Sequence, residues 1–168
     1  MKSETAKQHQ KESSNEITCG LITLSDSRKS EKLDLSGKYI ADEIESKYTL
    51  KSRSLIPDER EDLINAIENM IDEEIDVILT NGGTGLASRD ITVETVESLF
   101  EKRIDGFGEL FRAKSFEEIG SAALLSRATA GVYKNTIIFS MPGSPNAVKT
   151  ALSLIIDELP HFVYHVKK

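Results

Sequence analysis

A chain of 168 residues has room for one hydrophobic core, since domains cluster near ~100–150 residues and divide beyond roughly 250. Apolar residues make up 39% and charged residues 29%, a globular composition, and the formal charge of −7 excludes broad binding to nucleic acid or an anionic membrane, either of which demands an extended basic surface. Cys19 is the only cysteine, so one chain forms neither a disulfide nor a cysteine zinc cluster; with no signal-peptide pattern and no apolar span, the sequence reads as that of a cytoplasmic protein.

Residues 1–16 mix Lys2, Lys7 and Lys11 with Glu4, Glu12 and Glu16 and carry no large apolar side chain after Met1, which predicts a disordered polar tail ahead of a folded domain over 17–168. Residues 17–24, ITCGLITL, are apolar and β-branched and predict a buried strand that ends in the polar stretch 25–31. A helix capped by Asp34 or Ser36 follows, with Tyr39, Ile40, Ile44 and Tyr48 at helical spacing, and then a strand over 50–56. Leu63, Ile64, Ile67, Met70 and Ile71 predict a second amphipathic helix, and 76–80 a third strand. Thr92 reads as the N-cap of the helix after Arg89-Asp90. Residues 106–128 are helical in composition, with Phe107, Leu110, Phe111, Phe116, Ile119, Leu124 and Leu125 as core candidates; Phe107, Phe111 and Phe116 read as core or subunit contacts rather than as a base-stacking platform. Residues 130–135 read as a turn between short strands, 136–139 as another buried strand, and 147 to 167 as a last helical region broken at Pro160. Strands alternating with helices predict an α/β fold: a three-layer αβα sandwich with a mostly parallel central sheet.

In such sheets ligands bind beyond the C-terminal ends of the strands, where the strand order reverses. Four polar loops fall there, over 25–31, 57–60, 81–90 and 140–146. Two are glycine-rich: Asn81-Gly82-Gly83-Thr84-Gly85 and Pro142-Gly143-Ser144-Pro145. Glycines at these positions allow positive φ and close approach of a ligand to bare backbone, and successive N–H groups form an anion-binding nest. The first turn is neither a Walker A sequence nor a dinucleotide fingerprint, so a tight strand-to-helix turn stands beside phosphate binding as its reading. The second stands between a substrate loop and a rigid turn in which Ser144 caps the last helix. Asp58 and Asp90 each follow a strand and read either as Mg²⁺ ligands shared with water and substrate phosphates or as residues that fix the start of the next helix. Arg89 is a phosphate ligand or a solvated neighbour. His9, His161 and His165 are too scattered for a metal site, Cys19 reads as a core residue, and 72–74 as a solvated helix end.

Together these loops resemble the molybdenum-cofactor biosynthesis family of MoaB and MogA, whose domain also occurs in gephyrin and its plant counterpart. The resemblance spans about residues 17 to 161. It rests on Thr23-Leu24-Ser25-Asp26-Ser27-Arg28, Asp34-Leu35-Ser36-Gly37, Ile56-Pro57-Asp58-Glu59, Thr80-Asn81-Gly82-Gly83-Thr84-Gly85, Arg89-Asp90-Ile91-Thr92, Leu125-Ser126-Arg127-Ala128 and Met141-Pro142-Gly143-Ser144-Pro145. Phe107-Gly108-Glu109-Leu110-Phe111-Arg112 and Ser115-Phe116-Glu117-Glu118-Ile119-Gly120 look more like MoaB than MogA.

The resemblance implies Mg²⁺-dependent transfer of AMP from ATP to the terminal phosphate of molybdopterin, with release of pyrophosphate. It places the two essential acidic positions of the family on Asp58 and Asp90, as catalytic residues and metal ligands. The candidate substrate contacts are Ser25, Asp26, Asn81, Gly82, Gly83, Thr84, Gly85, Arg89, Pro142, Gly143 and Ser144, with Arg28, Arg89 and Lys114 as local cations in an otherwise acidic protein. A homo-oligomer, trimer or hexamer, is implied, as is hand-over of the product to a protein that inserts molybdate or tungstate. A non-catalytic carrier or scaffold that binds molybdopterin is the alternative.

Overall fold

The structure, a computed structural model, describes residues 16–26 and 34–168. The expected tail, apart from Glu16, and much of the loop over 25–31, with Arg28, lie outside the described residues. Six strands form one sheet: β1 (Thr18–Leu24), β2 (Thr49–Ile56), β3 (Val77–Asn81), β4 (Lys102–Arg103), β5 (Thr129–Tyr133) and β6 (Thr136–Met141), in the order β2-β1-β3-β6-β5-β4. Strands β2, β1, β3 and β6 are parallel; β5 runs antiparallel to β6 and to β4. The helices are α1 (Leu35–Glu45), α2 (Arg60–Asp72), α3 (Thr92–Leu99), α4 (Asp105–Ile119), α5 (Pro145–Ile155) and α6 (Leu159–Lys167). The three-layer, mostly parallel arrangement agrees with the sequence reading.

Side chains of a strand alternate between faces, and both faces are covered here, so the central strands are apolar throughout. On one face Cys19, Leu21, Val77, Leu79, Ile137 and Phe139 pack under α1, α4, α5 and α6. On the other Ile22, Leu24, Ile78 and Ile138 meet Leu63, Ile67 and Met70 of α2 and Val96 of α3. Cys19 is fully buried, and burial, with the charge of Asp76, pushes its thiol up to about 12, which suits a core residue and not a nucleophile. The connection through α1 carries the chain from β1 to one side, whereas α2 returns it past β1 to β3 on the other. Right-handed crossovers in opposite directions put α1 and α2 on opposite faces and open a crevice beyond the ends of β1 and β3.

Several local expectations are corrected. Thr92 is the first residue of α3 and not its cap; its hydroxyl donates to the Gly82 carbonyl. The helix over 106–128 stops at Ile119, where Gly120 takes φ +62°, and a 3-10 helix covers Gly120–Leu125. Of its core candidates Phe107 and Phe111 are buried, but Leu110, Phe116, Ile119, Leu124 and Leu125 are exposed. Residues 130–133 belong to β5, and only Lys134 and Asn135, both at positive φ, form the hairpin turn. The last helical region breaks at Ile156–Glu158, ahead of Pro160, which sits in the first turn of α6. The two-residue strand β4 carries no sequence signal and exists through its pairing with Val132 and Gly131.

Candidate functional site at the ends of the parallel strands

The loops after β1 and β2 grip each other. The Asp26 N–H donates to Asp58 Oδ2 at 3.0 Å, and the Asp58 N–H donates to Asp26 Oδ1 at 3.1 Å. Arg89 closes the cluster from the loop after β3, donating through Nε to Asp26 at 3.0 Å and through a terminal nitrogen to Glu59 at 2.8 Å. Arg89 is thus neither a lone solvated side chain nor a free cation; its guanidinium ties three loops. Asp58 does not cap α2, since Glu59 precedes that helix without a side-chain cap bond. Asp90 accepts from the Ala87 N–H at 2.9 Å and closes its own loop, and Ile91 stands at the start of α3.

The glycine-rich turn departs from β3 with Gly82 at φ +99° and Gly83 at φ +63°. At Gly83 a Cβ would lie 2.3 Å from Thr92 Oγ1 and 2.7 Å from Asp58 Oδ1, so only glycine brings the turn against Asp58. Each carbonyl of the turn is held from behind. Gly82 O accepts from Thr92 Oγ1 at 2.9 Å, Gly83 O from Thr92 N at 3.0 Å, Thr84 O from Arg127 Nε at 3.0 Å, and Gly85 O from a terminal nitrogen of Arg127 at 2.6 Å. A planar trans peptide points its N–H opposite its carbonyl, so these four bonds direct the N–H groups of Gly83, Thr84, Gly85 and Leu86 away from Thr92 and Arg127. Arg127 also pairs with Glu94. It is the site residue that sequence reasoning missed, and its only signal was its place in Leu125-Ser126-Arg127-Ala128.

The second glycine turn is built differently. Gly143 has no positive φ; a Cβ there would stand 3.2 Å from Gly82 Cα, a tight contact that glycine avoids. Ser36 Oγ donates to its carbonyl at 2.8 Å, Ser144 Oγ caps α5 by accepting from Ala147 N at 3.3 Å, and Pro142 links β6 to this turn. Ser25 anchors the first loop by donating its N–H to Ile56 O at 3.0 Å. The structure therefore brings the loops of Ser25, Asp26, Asp58, Asn81–Asp90 and Gly143 together. Lys114 is not among them; it stands exposed on α4, which packs against the following 3-10 helix, α5 and β5. Beyond Arg127 a cavity of about 500 Å³ opens, lined by Glu97, Arg103, Arg112 and Ser126 among others.

Electrostatics mark Asp58. Burial pushes its carboxyl above the ordinary carboxylate range, and the charges of Asp26 and Asp90 add to the rise, against the pull of the Asp26 N–H and Arg89. Asp26 moves the opposite way, lowered first by the Asp58 N–H and then by Arg89. Asp58 Oδ1 is buried and has no hydrogen-bond partner. Among the described residues no cluster of three metal-binding side chains exists. Mg²⁺, however, takes one or two carboxylates and completes its shell with water and substrate phosphates, so an orphaned buried oxygen beside a second carboxylate fits it.

Comparison with known proteins shows the family and the fold. Residues 20–161 match the family described as a probable molybdopterin binding domain. The molybdenum cofactor biosynthesis protein B of Bacillus subtilis is 43% identical over 98% of this chain and 98% of its own. The molybdopterin adenylyltransferase of Pyrococcus furiosus is 40% identical over 96% and 98% respectively. The crystal structure of the tungsten cofactor synthesizing protein MoaB from Pyrococcus furiosus superposes with a TM-score of 0.87, covering 92% of this chain and 99% of that one at 40% identity. A MogA structure matches at 26% identity with a TM-score of 0.80, so the MoaB character of the sequence over α4 is also the stronger likeness overall. With a matched domain, near-full-length relatives and a shared architecture, the chain belongs to the molybdopterin-binding family of MoaB and MogA.

Proposed function

We propose that this protein is a molybdopterin adenylyltransferase of molybdenum-cofactor biosynthesis, working on ATP and molybdopterin. The observation that carries the reading is Asp58 Oδ1, buried and unpartnered, against a glycine turn whose carbonyls are all engaged by Thr92 and Arg127. Nucleotidyl transfer asks for positioning and charge stabilisation more than for a protein nucleophile. An oxygen of the terminal phosphate of molybdopterin attacks the α-phosphorus of ATP; the new P–O bond forms as the bond to the β-phosphate bridging oxygen breaks, and pyrophosphate leaves. The N–H groups of Gly83, Thr84 and Gly85 hold phosphate oxygens, and the Asp26–Arg89–Glu59 network keeps Asp58 in place. Asp58 and Asp90 are the residues that would hold Mg²⁺, which when bound offsets the negative charge on the phosphates. Ser25, Asn81, Pro142, Gly143 and Ser144 shape the crevice around the substrates. The cavity beside Arg127 has the volume of a small-molecule site and offers room for the ring system of molybdopterin.

Leu110, Phe116, Ile119, Leu124 and Leu125 form an exposed apolar surface on α4 and the following 3-10 helix. This surface supports a homo-oligomer, trimer or hexamer, in which a second copy covers it. No helix among the described residues is long and apolar enough to cross a membrane, and the reading places the protein in the cytoplasm, where the product passes to a protein that inserts molybdate or tungstate. The test is an assay with purified molybdopterin, ATP and Mg²⁺. Pyrophosphate release with formation of adenylylated molybdopterin is expected; tight binding of molybdopterin without release would make the protein a carrier.

A further inference from the structure

The motif Phe107-Gly108-Glu109-Leu110-Phe111-Arg112, which carries part of the likeness to MoaB, has no role in the reaction described so far. Phe107 and Phe111 are buried and fix the rotation of α4, with the Phe107 ring 5.1 Å from that of Phe139 on the sheet. Asp105, Gly108, Glu109 and Arg112, spaced i, i+3, i+4 and i+7, then fall on one stripe of the helix, and all four line the cavity of about 500 Å³ beside Arg127. Gly108 lets this stripe come close: a Cβ there would lie 2.7 Å from the Ala128 carbonyl oxygen and 2.9 and 3.1 Å from the terminal nitrogens of Arg112. The Arg112 guanidinium therefore lies against bare helix backbone, half-buried, with one long hydrogen bond to the Ala128 carbonyl at 3.4 Å.

The charges around the cavity divide into those already paired and those left over. Arg103 pairs with Glu97 at 2.8 Å and with Asp105 at 3.0 Å, and Arg127 pairs with Glu94. Glu109 and Arg112 form no ion pair among the described residues, although their spacing would allow one between them. Glu109 is exposed and Arg112 half-buried at the wall, so a ligand in the cavity reaches both. The described lining holds Arg103, Arg112 and Arg127 against Glu97, Asp105 and Glu109 and is formally neutral, so a triphosphate finds no net attraction there. A flat, uncharged heterocycle with donors and acceptors along one edge does fit, because a guanidinium and a carboxylate side by side offer both.

Both substrates in the reading above, on which this inference rests, contain a heterocycle, and their edges differ. The pyrimidinone ring of molybdopterin presents a carbonyl oxygen, a ring N–H and an amino group in a row, one acceptor followed by two adjacent donors. A carboxylate takes two adjacent N–H donors together, and a guanidinium gives to the carbonyl. Adenine has only acceptor ring nitrogens beside its amino group, so it cannot serve both oxygens of a carboxylate in this way. We propose that Glu109 and Arg112 recognise the aminopyrimidinone edge of molybdopterin, Glu109 accepting from the ring N–H and the amino group and Arg112 donating to the carbonyl oxygen.

The test is calorimetric titration of the full-length protein with 6-hydroxymethylpterin phosphate and with its lumazine counterpart, in which an oxo group replaces the 2-amino group. Wild type, Glu109→Gln, Arg112→Met and Arg112→Lys are compared, with ATP as the control ligand. The wild type is expected to bind the pterin about tenfold or more tightly than the lumazine, since the exchange removes one hydrogen bond and sets an oxygen against a carboxylate. Glu109→Gln, whose amide meets an oxo group as readily as an amino group, loses that preference. Arg112→Met weakens both compounds about tenfold and by the same factor, and Arg112→Lys, which keeps a donor without the planar fork, recovers part of the loss. ATP binds every variant as it binds the wild type. Glu109 is exposed, so its variant decides the matter even where Arg112→Met does not fold. Equal affinity of the wild type for the two compounds, a preference that survives in Glu109→Gln, or a loss that falls on ATP overturns the proposal. So does sedimentation velocity in which either variant dissociates the assembly, which would pair these charges with a second copy. A wild type that transfers AMP but does not distinguish the two compounds sinks this inference alone, whereas one that distinguishes them and releases no pyrophosphate keeps the inference and sinks the enzymatic reading.

Discussion

Asp26 and Asp58 hold each other by two reciprocal hydrogen bonds, backbone N–H to carboxylate in both directions, at 3.0 and 3.1 Å. Two acidic residues side by side repel, yet here each carboxylate is met by the amide of the other, and Arg89 reaches Asp26 from a third loop. The arrangement engages Asp58 Oδ2 and leaves Oδ1 buried without a partner. A carboxylate is thereby held in place by its neighbours and not by its own conformational preference, which is how a small site is kept rigid.

The pH dependence follows from opposite shifts. Asp58 is raised above its ordinary value of 3.8, so it favours the folded state when protonated; its contribution is greatest at low pH and fades as the pH rises through the folded midpoint. Asp26 is lowered, so it stabilises above the ordinary value of 3.8 and its contribution is lost as the pH falls through its folded midpoint. Carbon NMR titration is expected to show Asp58 titrating above Asp26. In Asp90→Asn, with one negative charge removed, the Asp58 midpoint moves down; in Arg89→Met it moves up. A common midpoint for both carboxyls in the wild type would contradict the geometry.

Asp90→Asn is expected to keep its fold, because the asparagine oxygen still accepts the Ala87 N–H that closes the loop. Turnover is expected to drop by about 10²–10³, the usual cost of losing a preorganised electrostatic group. Thermal melting and a pyrophosphate-release assay on the same preparation separate the two effects, and an undiminished rate counts against the placement of Asp90.

Arg127→Met releases the carbonyls of Thr84 and Gly85, and with them the direction of the following N–H groups. The KM for ATP should rise about tenfold or more, while Glu94→Gln, which leaves both carbonyl bonds available, has a smaller effect. Arg127→Lys should resemble Arg127→Met, since one ammonium does not reproduce the planar fork that serves two carbonyls and a carboxylate. If lysine restores the KM, charge alone is the role of Arg127.

Phe116→Asp and Leu124→Asp place charge on the exposed apolar surface of α4 and its 3-10 extension. Sedimentation velocity is expected to show the assembly dissociating to smaller species, with far-UV circular dichroism unchanged because neither residue belongs to the core. A species distribution identical to that of the wild type would locate the interface elsewhere.

The exposed face shows where sequence patterning stops. Leu110, Phe116, Ile119, Leu124 and Leu125 carry the same signal as Phe107 and Phe111, since an apolar side chain avoids water equally well in a core or under another subunit. Thr92 is a comparable case. Its place after Asp90 suits an N-cap, but the Gly82 carbonyl came within reach of its hydroxyl, and that buried acceptor took precedence.

Residue order alone fixed the parallel strands, because apolar β-branched runs such as 17–24 and 136–139 lie buried on both faces. It also marked the two glycine turns and Asp58 and Asp90, because a loop that directly follows such a strand falls at the ligand-binding end of the sheet. Tertiary structure decided what those residues do to one another. The grip of Arg127 on Thr84 and Gly85, the hydrogen bond from Asn81 to Thr23, and the exchange between Asp26 and Asp58 join residues between 32 and 58 positions apart. Bonds of that span depend on strand order and crossover direction, which no local pattern encodes; the chemistry was legible in the loops, and its aim was set by the sheet.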